Sequence, residues 1–304
     1  MYTPRGYQPG HRHPLVVMIH GCNTNAAEQQ AASAFERVAD RHGFVVLFAD
    51  HDQRETLAVG THPVRCWRFW SPADTHRGLG DPADVVAQTR LVQREWSIDH
   101  TRTYVVGMSS GGMLTSTLGA TYPDVYAAIG VVAGCGYGAN AACLLPPYHA
   151  LDPSSTEAAA AHAEQGRRTR ALPMIGVHGS ADTTVPPAAG AGTVRQWVKA
   201  ANLALSGDDA RPVPLSTPAR VVRPPHRRVY EVADFRMPST DCLMARRVTV
   251  HGMGHYWPGG SADPGVAQWT DPTGPDGAAL VWNFFRQFRL ESQLDACRDT
   301  RRQS

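Results

Sequence analysis

The chain has almost no lysine: Lys199 is the only one among 29 basic residues, which are set against 27 acidic ones for a formal net charge of only +2. Its arginines are scattered, so the basic face that a nucleic acid or an anionic membrane surface requires is missing, and neither is expected as a partner. No apolar run approaches the roughly eighteen residues needed to cross a bilayer. None of the six cysteines stands in a C-x-x-C, which argues against a zinc ribbon and against a thioredoxin-type redox centre. No H-E-x-x-H and no carboxylate–histidine ligand set occurs, so no metal and no other cofactor is expected. Internal repeats are missing as well. What remains is a chain of 304 residues, 42 % hydrophobic, long enough to bury one large core.

What is present alternates between strand and helix patterns. Leu15-Val16-Val17-Met18-Ile19 is a continuous apolar run, as in a parallel strand covered on both faces. A helix is predicted over about residues 26–41, with Phe35, Val38 and Ala39 on one side and Gly43 as its stop. Phe44 to Phe48, Thr103 to Val106, Ala127 to Ala133 and Met174 to His178 read as further buried strands. Asp84 to Trp96, the stretch after Pro186 and Pro187, and Asp276 to Leu290 read as helices, and Arg228 to Phe235 and Arg246 to His251 alternate like strands. This order predicts an α/β class, a doubly wound and mostly parallel sheet with helices on both faces, in a single domain over residues 1–304. Residues 1–13 read as a tail whose His11-Arg12-His13 is solvated surface, and residues 50–80 and 201–227 as irregular insertions.

Chemistry enters at Gly107-Met108-Ser109-Ser110-Gly111, a G-x-S-x-G lying between the strand ending at Val106 and the apolar helix through Met113, Leu114 and Leu118. A strand turning sharply into a helix at a serine lifts the hydroxyl out of the sheet, and small glycines on both sides permit the turn. This is the pattern of the nucleophile elbow of an α/β-hydrolase, with Ser109 as nucleophile. A serine hydroxyl needs a histidine to take its proton, and the histidine needs a carboxylate to fix its tautomer. In that fold the chain order is serine, acid, histidine. Asp182, in the loop His178-Gly179-Ser180-Ala181-Asp182 after a strand, fits the acid; His255, in the glycine-rich loop after the last strand, fits the base, with His251 at the strand end as its rival. The oxyanion donors expected are the backbone N–H groups of Ser110, which follows the nucleophile, and of Cys22 in His20-Gly21-Cys22. A Cys22–Cys66 disulfide would anchor that loop to the aromatic stretch Cys66-Trp67-Arg68-Phe69-Trp70.

Seven segments together resemble the esterase family of poly(3-hydroxybutyrate) depolymerases: LVVMIHGC at 15–22, CWRFW at 66–70, RGLGDP at 77–82, GMSSGGM at 107–113, HGSADTTVP at 178–186, HGMGHYWPGG at 251–260 and TDPTGPDG at 270–277. The resemblance runs along most of the chain and implies the α/β-hydrolase fold. It also implies an extracellular or periplasmic serine hydrolase of carboxylic esters, with Ser109, Asp182 and His255 in the three catalytic roles. Two features depart from the pattern: Asp81 stands where similar sequences tend to have Glu, and no Ser/Thr-rich linker with a binding module follows. Similar sequences include feruloyl and acetylxylan esterases, so the bond class is better specified than the polymer.

The expected partner is an ester or polyester substrate, in first place poly(3-hydroxybutyrate)-type polyester or its oligomers. A feruloyl or acetylxylan-type esterase on plant polysaccharide esters is the alternative, and a non-catalytic polymer-binding homologue is the alternative of another class. Trp67, Tyr256 and Trp257 are the candidate subsite residues, because aromatic rings beside an acyl-transfer centre suit hydrophobic acyl groups. Beyond Cys22–Cys66, the expected disulfides are Cys135–Cys143 and Cys242–Cys297. Paired cysteines predict a secreted or periplasmic protein, in a mature form from which the signal peptide is absent. Oligomeric state is not legible in the sequence.

Overall fold

A computed structural model describes residues 1–51, 57–59, 62–138, 155–206, 219–237 and 241–290. Its centre is an eight-stranded sheet of β1 (His13–Ile19), β2 (Val45–Ala49), β5 (Ile98–Met108), β6 (Ala128–Val132), β7 (Met174–Gly179), β8 (Arg220–Val222), β9 (Tyr230–Arg236) and β10 (Leu243–Val250), in the order β2-β1-β5-β6-β7-β10-β9-β8. The six strands from β2 to β10 pair parallel; β9 and β8 then add an antiparallel edge. A short antiparallel pair, β3 (Leu57–Val59) with β4 (His62–Val64), stands apart from it.

Alternate residues of β1 serve two cores. Leu15, Val17 and Ile19 pack with Val85 of α3 (Gly80–Glu95), Leu114 of α4 (Ser110–Thr121), Ala161 of α5 (Ser155–Gln165) and Trp197 of α6 (Pro187–Ser206). Val16 and Met18 pack with Phe35 of α2 (Phe35–His42) and Phe285 of α7 (Gly277–Phe285). Every residue of β1 is buried, which is why Leu15 to Ile19 form an unbroken apolar run rather than an alternation. Helix α4 is buried all round, and its small residues let it lie flat behind the sheet. Among the described residues no helix is long and apolar enough to cross a membrane.

The structure differs from the sequence reading in places, and the last helix, expected to reach Leu290, ends at Phe285. The single helix expected over 26–41 is two, α1 (Ala26–Ser33) and α2, broken at Ala34 with φ 58°. The break has a cause: the carbonyls of Ala32 and Ser33 accept from Ser261 N (2.9 Å) and Trp257 Nε1 (3.0 Å), so they leave the helix ladder to hold the loop that carries His255. Residues 1–13 are not a free tail, because Tyr2 exchanges two backbone hydrogen bonds with Val46 at the sheet edge. His13 is buried within β1, its Nδ1 2.8 Å from the carbonyl of Gly43, so it is not solvated surface. The two stretches expected to be irregular contain ordered elements: β3 and β4 fall within 50–80, and the end of α6 at Ser206 and β8 at 220–222 fall within 201–227, while 207–218 lie outside the described residues, as do 52–56 and 60–61.

Candidate active site

Ser109 is the single residue between β5 and α4, and its backbone sits at φ 55°, ψ −122°. A non-glycine residue in that region stores on the order of 1–3 kcal/mol, tolerated only where the surroundings fix it. Here they do: Ser109 N donates to Val132 O (2.9 Å) and Ser109 O accepts from Met113 N (3.0 Å). The flanking glycines are required sterically. A Cβ on Gly107 would lie 2.1 Å from Gly111 O, and one on Gly111 would lie 2.3 Å from His20 O. The elbow therefore presses directly on the end of β1.

Asp182 and His255, expected as acid and base, lie in the loops that follow β7 and β10. Gly179 has no room for a side chain, since a Cβ there would meet Met253 O at 2.2 Å. Ser180 N donates to Val250 O and Ala181 N to Met253 O, both at 2.9 Å, and Gly252 N donates to Ser180 Oγ at 2.8 Å. Stitched together in this way, the two loops place His255 Nδ1 2.8 Å from Asp182 Oδ2. A carboxylate only accepts, so the proton is on Nδ1 and Nε2 keeps its lone pair. His251, the rival, is exposed and sits 3.1 Å from Glu231 instead.

Asp182 is buried, and burial by itself pushes a carboxyl upward. It is outweighed by His178, His255 and the N–H of Val185, which together hold Asp182 well below the usual carboxylate range. Its Oδ1 accepts from Thr184 N and Val185 N, each at 2.9 Å. His178 Nε2 stands 2.9 Å from Val185 O and 3.2 Å from Asp182 Oδ2. This second histidine was not singled out from the sequence; its place four residues before Asp182 at a strand end is the signal that could have found it.

The end of β1 supplies the facing wall. A Cβ on Gly21 would be 3.3 Å from Ser109 Cβ, so the His20-Gly21-Cys22 loop lies in contact with Ser109. Cys22 N–H donates to no other described residue. Ser110 N–H belongs to the first turn of α4, where no intrahelical acceptor exists. Two backbone donors are thus unspent beside Ser109, as an oxyanion requires. The loop is anchored by the Cys22–Cys66 disulfide and by Asn23 N donating to Arg65 O at 2.7 Å. Arg68 N in turn donates to buried Asp81 at 2.7 Å, which ties the aromatic stretch to the start of α3. Burial, and then Asp74 beside it, raises the Asp81 carboxyl against the opposing pull of Arg68.

Of the three candidate subsite aromatics, two fail. Trp67 and Trp257 are both fully buried, with their indole N–H groups donated to His20 O and Ser33 O, so they brace the site's loops and offer no surface to a substrate. Tyr256 is exposed at 38 %, its ring over Gly254. Phe69 and Trp70 pack edge to face (4.9 Å) in an apolar cluster with Met113 and Val185, which follow Ser109 and Asp182 closely in the chain. Ser109 Oγ makes no hydrogen bond with another described residue. Cys135 and Cys242 are disulfide-bonded; Cys143 and Cys297, their expected partners, lie outside the described residues.

Residues 1–211 match the family model for the esterase PHB depolymerases. Poly(3-hydroxyalkanoate) depolymerase C of Paucimonas lemoignei is 30 % identical over 259 residues, 83 % of this chain and 56 % of that protein. A probable acetylxylan esterase A of Aspergillus clavatus is 30 % identical over 197 residues, 60 % of each chain, and feruloyl esterase B of Thermothelomyces thermophilus is 29 % identical over 198, covering 60 % of this chain and 64 % of its own. The chain thus spans between 56 % and 64 % of the length of these relatives. In structure, an acetyl xylan esterase from Aspergillus awamori superposes with a TM-score of 0.61 at 22 % identity, covering 88 % of this chain and 90 % of that one, and so shares the α/β-hydrolase fold. With most of its length matched by the family model and 83 % of it aligned to the depolymerase, the chain belongs to the esterase PHB depolymerase family.

Proposed function

We propose that the protein is a serine hydrolase of carboxylic esters that cleaves poly(3-hydroxybutyrate)-type polyester or its oligomers through an acyl-enzyme on Ser109. The observation that carries the reading is the strained Ser109 elbow facing two unspent backbone donors, with a hydrogen-bonded Asp182–His255 pair on the neighbouring strand ends. Ser109 Oγ attacks the ester carbonyl carbon while His255 Nε2 takes the hydroxyl proton. Asp182 stabilises the imidazolium, and the N–H groups of Cys22 and Ser110 hold the oxyanion. Collapse breaks the ester C–O bond, and the leaving alkoxide takes its proton from His255. Water then attacks the acyl-serine, gives a proton to His255, and the acid departs as the proton returns to Ser109.

Polyester is placed first because the depolymerase alignment extends over more of this chain than those to the acetylxylan and feruloyl esterases, at equal or slightly higher identity. An esterase acting on plant polysaccharide esters is the second reading, supported by those latter two relatives. Tyr256 and Trp70 are the residues we assign to the acyl subsite. The disulfides support a secreted or periplasmic location. Hydrolysis of 3-hydroxybutyrate oligomers, methyl ferulate and acetylated xylan, wild type beside Ser109→Ala, tests the reading. Oligomer turnover lost in the variant is the expected result. Turnover of ferulate or acetate esters alone overturns the substrate, and an unchanged Ser109→Ala overturns the mechanism.

A further inference from the structure

The Cys22 donor is a backbone N–H, so its aim depends on the rotation of one peptide unit, the one joining Gly21 to Cys22. That unit is planar and trans, with the Gly21 carbonyl on one edge and the Cys22 N–H on the opposite edge. Holding the carbonyl therefore sets the direction of the N–H. Glycine at position 21 makes the hold necessary, because without a Cβ the preceding torsions are loosely restricted.

Two buried side chains converge on that carbonyl. His20 Nδ1 lies 2.8 Å from Gly21 O, and Thr24 Oγ1 lies 3.0 Å from the same oxygen. A carbonyl oxygen only accepts, so both groups donate, and together they fill its two lone pairs. Neither side chain is free to wander: His20 is 1 % exposed and Thr24 5 %. The His20 ring packs against Trp67 and stacks on His51, with ring centroids 5.0 and 5.5 Å away. Its Nε2 stands 3.3 Å from Asp50 Oδ1, in ion-pair range though off the line of a good hydrogen bond. Asp50 is itself fixed at the end of β2 by Ala26 N (3.2 Å), His51 N (3.0 Å) and the amide of Gln88, which donates to its carbonyl at 2.7 Å. Burial pushes the Asp50 carboxyl up, but the contact with His20 and the two N–H bonds pull it down to about 2, so it is anionic at neutral pH.

We propose that His20 and Thr24 are positioning residues that lock the Gly21–Cys22 peptide plane through the Gly21 carbonyl and thereby aim the Cys22 N–H at the oxyanion. The inference rests on the serine-hydrolase reading above. If the plane turns over, the carbonyl faces the substrate in place of the donor, and the site loses one of its two anion contacts while keeping its substrate surface. The signature is a loss in kcat and not in KM.

The test compares wild type with Thr24→Val, Thr24→Ser, His20→Leu, His20→Asn and Ser109→Ala on p-nitrophenyl butyrate, with inhibition by butylboronic acid, whose tetrahedral serine adduct places an oxygen in the oxyanion site. Thr24→Val conserves shape and deletes the donor; Thr24→Ser restores it; the His20→Asn amide nitrogen stands close to the place of Nδ1. Removing an oxyanion donor outright typically costs about 10²–10³-fold, so loosening one by half its lock is expected to lower kcat roughly 10- to 100-fold in Thr24→Val and His20→Leu. KM should stay within about twofold, boronate inhibition should weaken in parallel with kcat, and Thr24→Ser and His20→Asn should recover most of the loss. Thermal melts identify any variant that fails to fold, and the Thr24 pair keeps the test decisive if His20→Leu does. The inference is overturned if Thr24→Val keeps kcat within about twofold while Ser109→Ala is dead, if the loss lies in KM, or if boronate affinity does not follow kcat. An active Ser109→Ala overturns the underlying reading instead, so the two failures are distinguishable.

Discussion

Replacing Cys22 and Cys66 together by serine should cost stability and leave the enzyme active. The disulfide joins residues 44 apart in sequence. Closing a loop of that length removes chain entropy worth roughly 4 kcal/mol at 25 °C from the unfolded state, by the relation −2.1 − 1.5R ln n. At ~2.1 cal/mol/K of unfolding entropy per residue, a chain of 304 residues then loses about 6 °C in Tm. Catalysis should suffer less. The oxyanion donor at Cys22 is a backbone group that the substitution leaves in place, and the bonds from Asn23 to Arg65, from Trp67 to His20 O and from Thr24 to Gly21 O remain to hold its loop. The drop in kcat is expected to stay below about tenfold, under the cost of a lost donor. Urea unfolding and p-nitrophenyl butyrate kinetics on the double variant measure both quantities. A stability change under about 1 kcal/mol would refute the loop-closure argument, and a hundredfold loss of kcat would show that the disulfide alone holds the oxyanion loop.

Further predictions follow from the same geometry. Gly111→Ala forces a Cβ to 2.3 Å from the backbone oxygen of His20, which no side-chain rotation relieves, so about 3 kcal/mol of stability and most fluorophosphonate labelling of Ser109 should be lost; near-normal urea midpoints would show that the β1 end yields. His178→Leu removes a donor from Asp182 and is expected to lower kcat/KM about tenfold, with His178→Gln recovering part of it through its amide; equal losses in both variants would mean that His178 only packs. Asp182 has its pKa depressed in the folded state, so it contributes stability that is present above its unfolded value near ~3.9 and disappears as pH falls toward the folded one. Tm measured from pH 6 to pH 3 should therefore fall more steeply below about pH 4 in wild type than in Asp182→Asn, and parallel curves would contradict the assignment.

Much of the scaffold was legible because parallel strands buried on both faces write themselves as apolar runs. Leu15–Ile19 and Phe44–Phe48 could be little else, and the order of Ser109, Asp182 and His255 after three strand ends follows the chain logic of the α/β-hydrolase fold. The helix break at Ala34 was not legible, since its cause lies more than 200 residues away in Trp257 and Ser261, which capture the carbonyls of Ser33 and Ala32. For the same reason Trp67 and Trp257 looked like subsite residues. They adjoin the catalytic motifs in sequence, and only their long-range bonds to His20 O and Ser33 O reveal that they face inward. His13 misled in the opposite direction: beside Arg12 and His11 it reads as surface, yet it begins β1 and is buried beneath Gly43 O. The partners of Gly21 O were invisible because a local HGCNT string gives no hint that His20 and Thr24 turn back onto the carbonyl between them.

The central claim is that Ser109 carries the acyl group, and intact-mass analysis of enzyme quenched in acid during turnover of a 3-hydroxybutyrate oligomer tests it most directly. The account predicts a fraction of the protein heavier by one or more hydroxybutyryl units, the adduct mapping to the peptide that contains Ser109 and missing from Ser109→Ala, which should also be inactive. Turnover with the adduct on another residue, or continued turnover by Ser109→Ala, would contradict it.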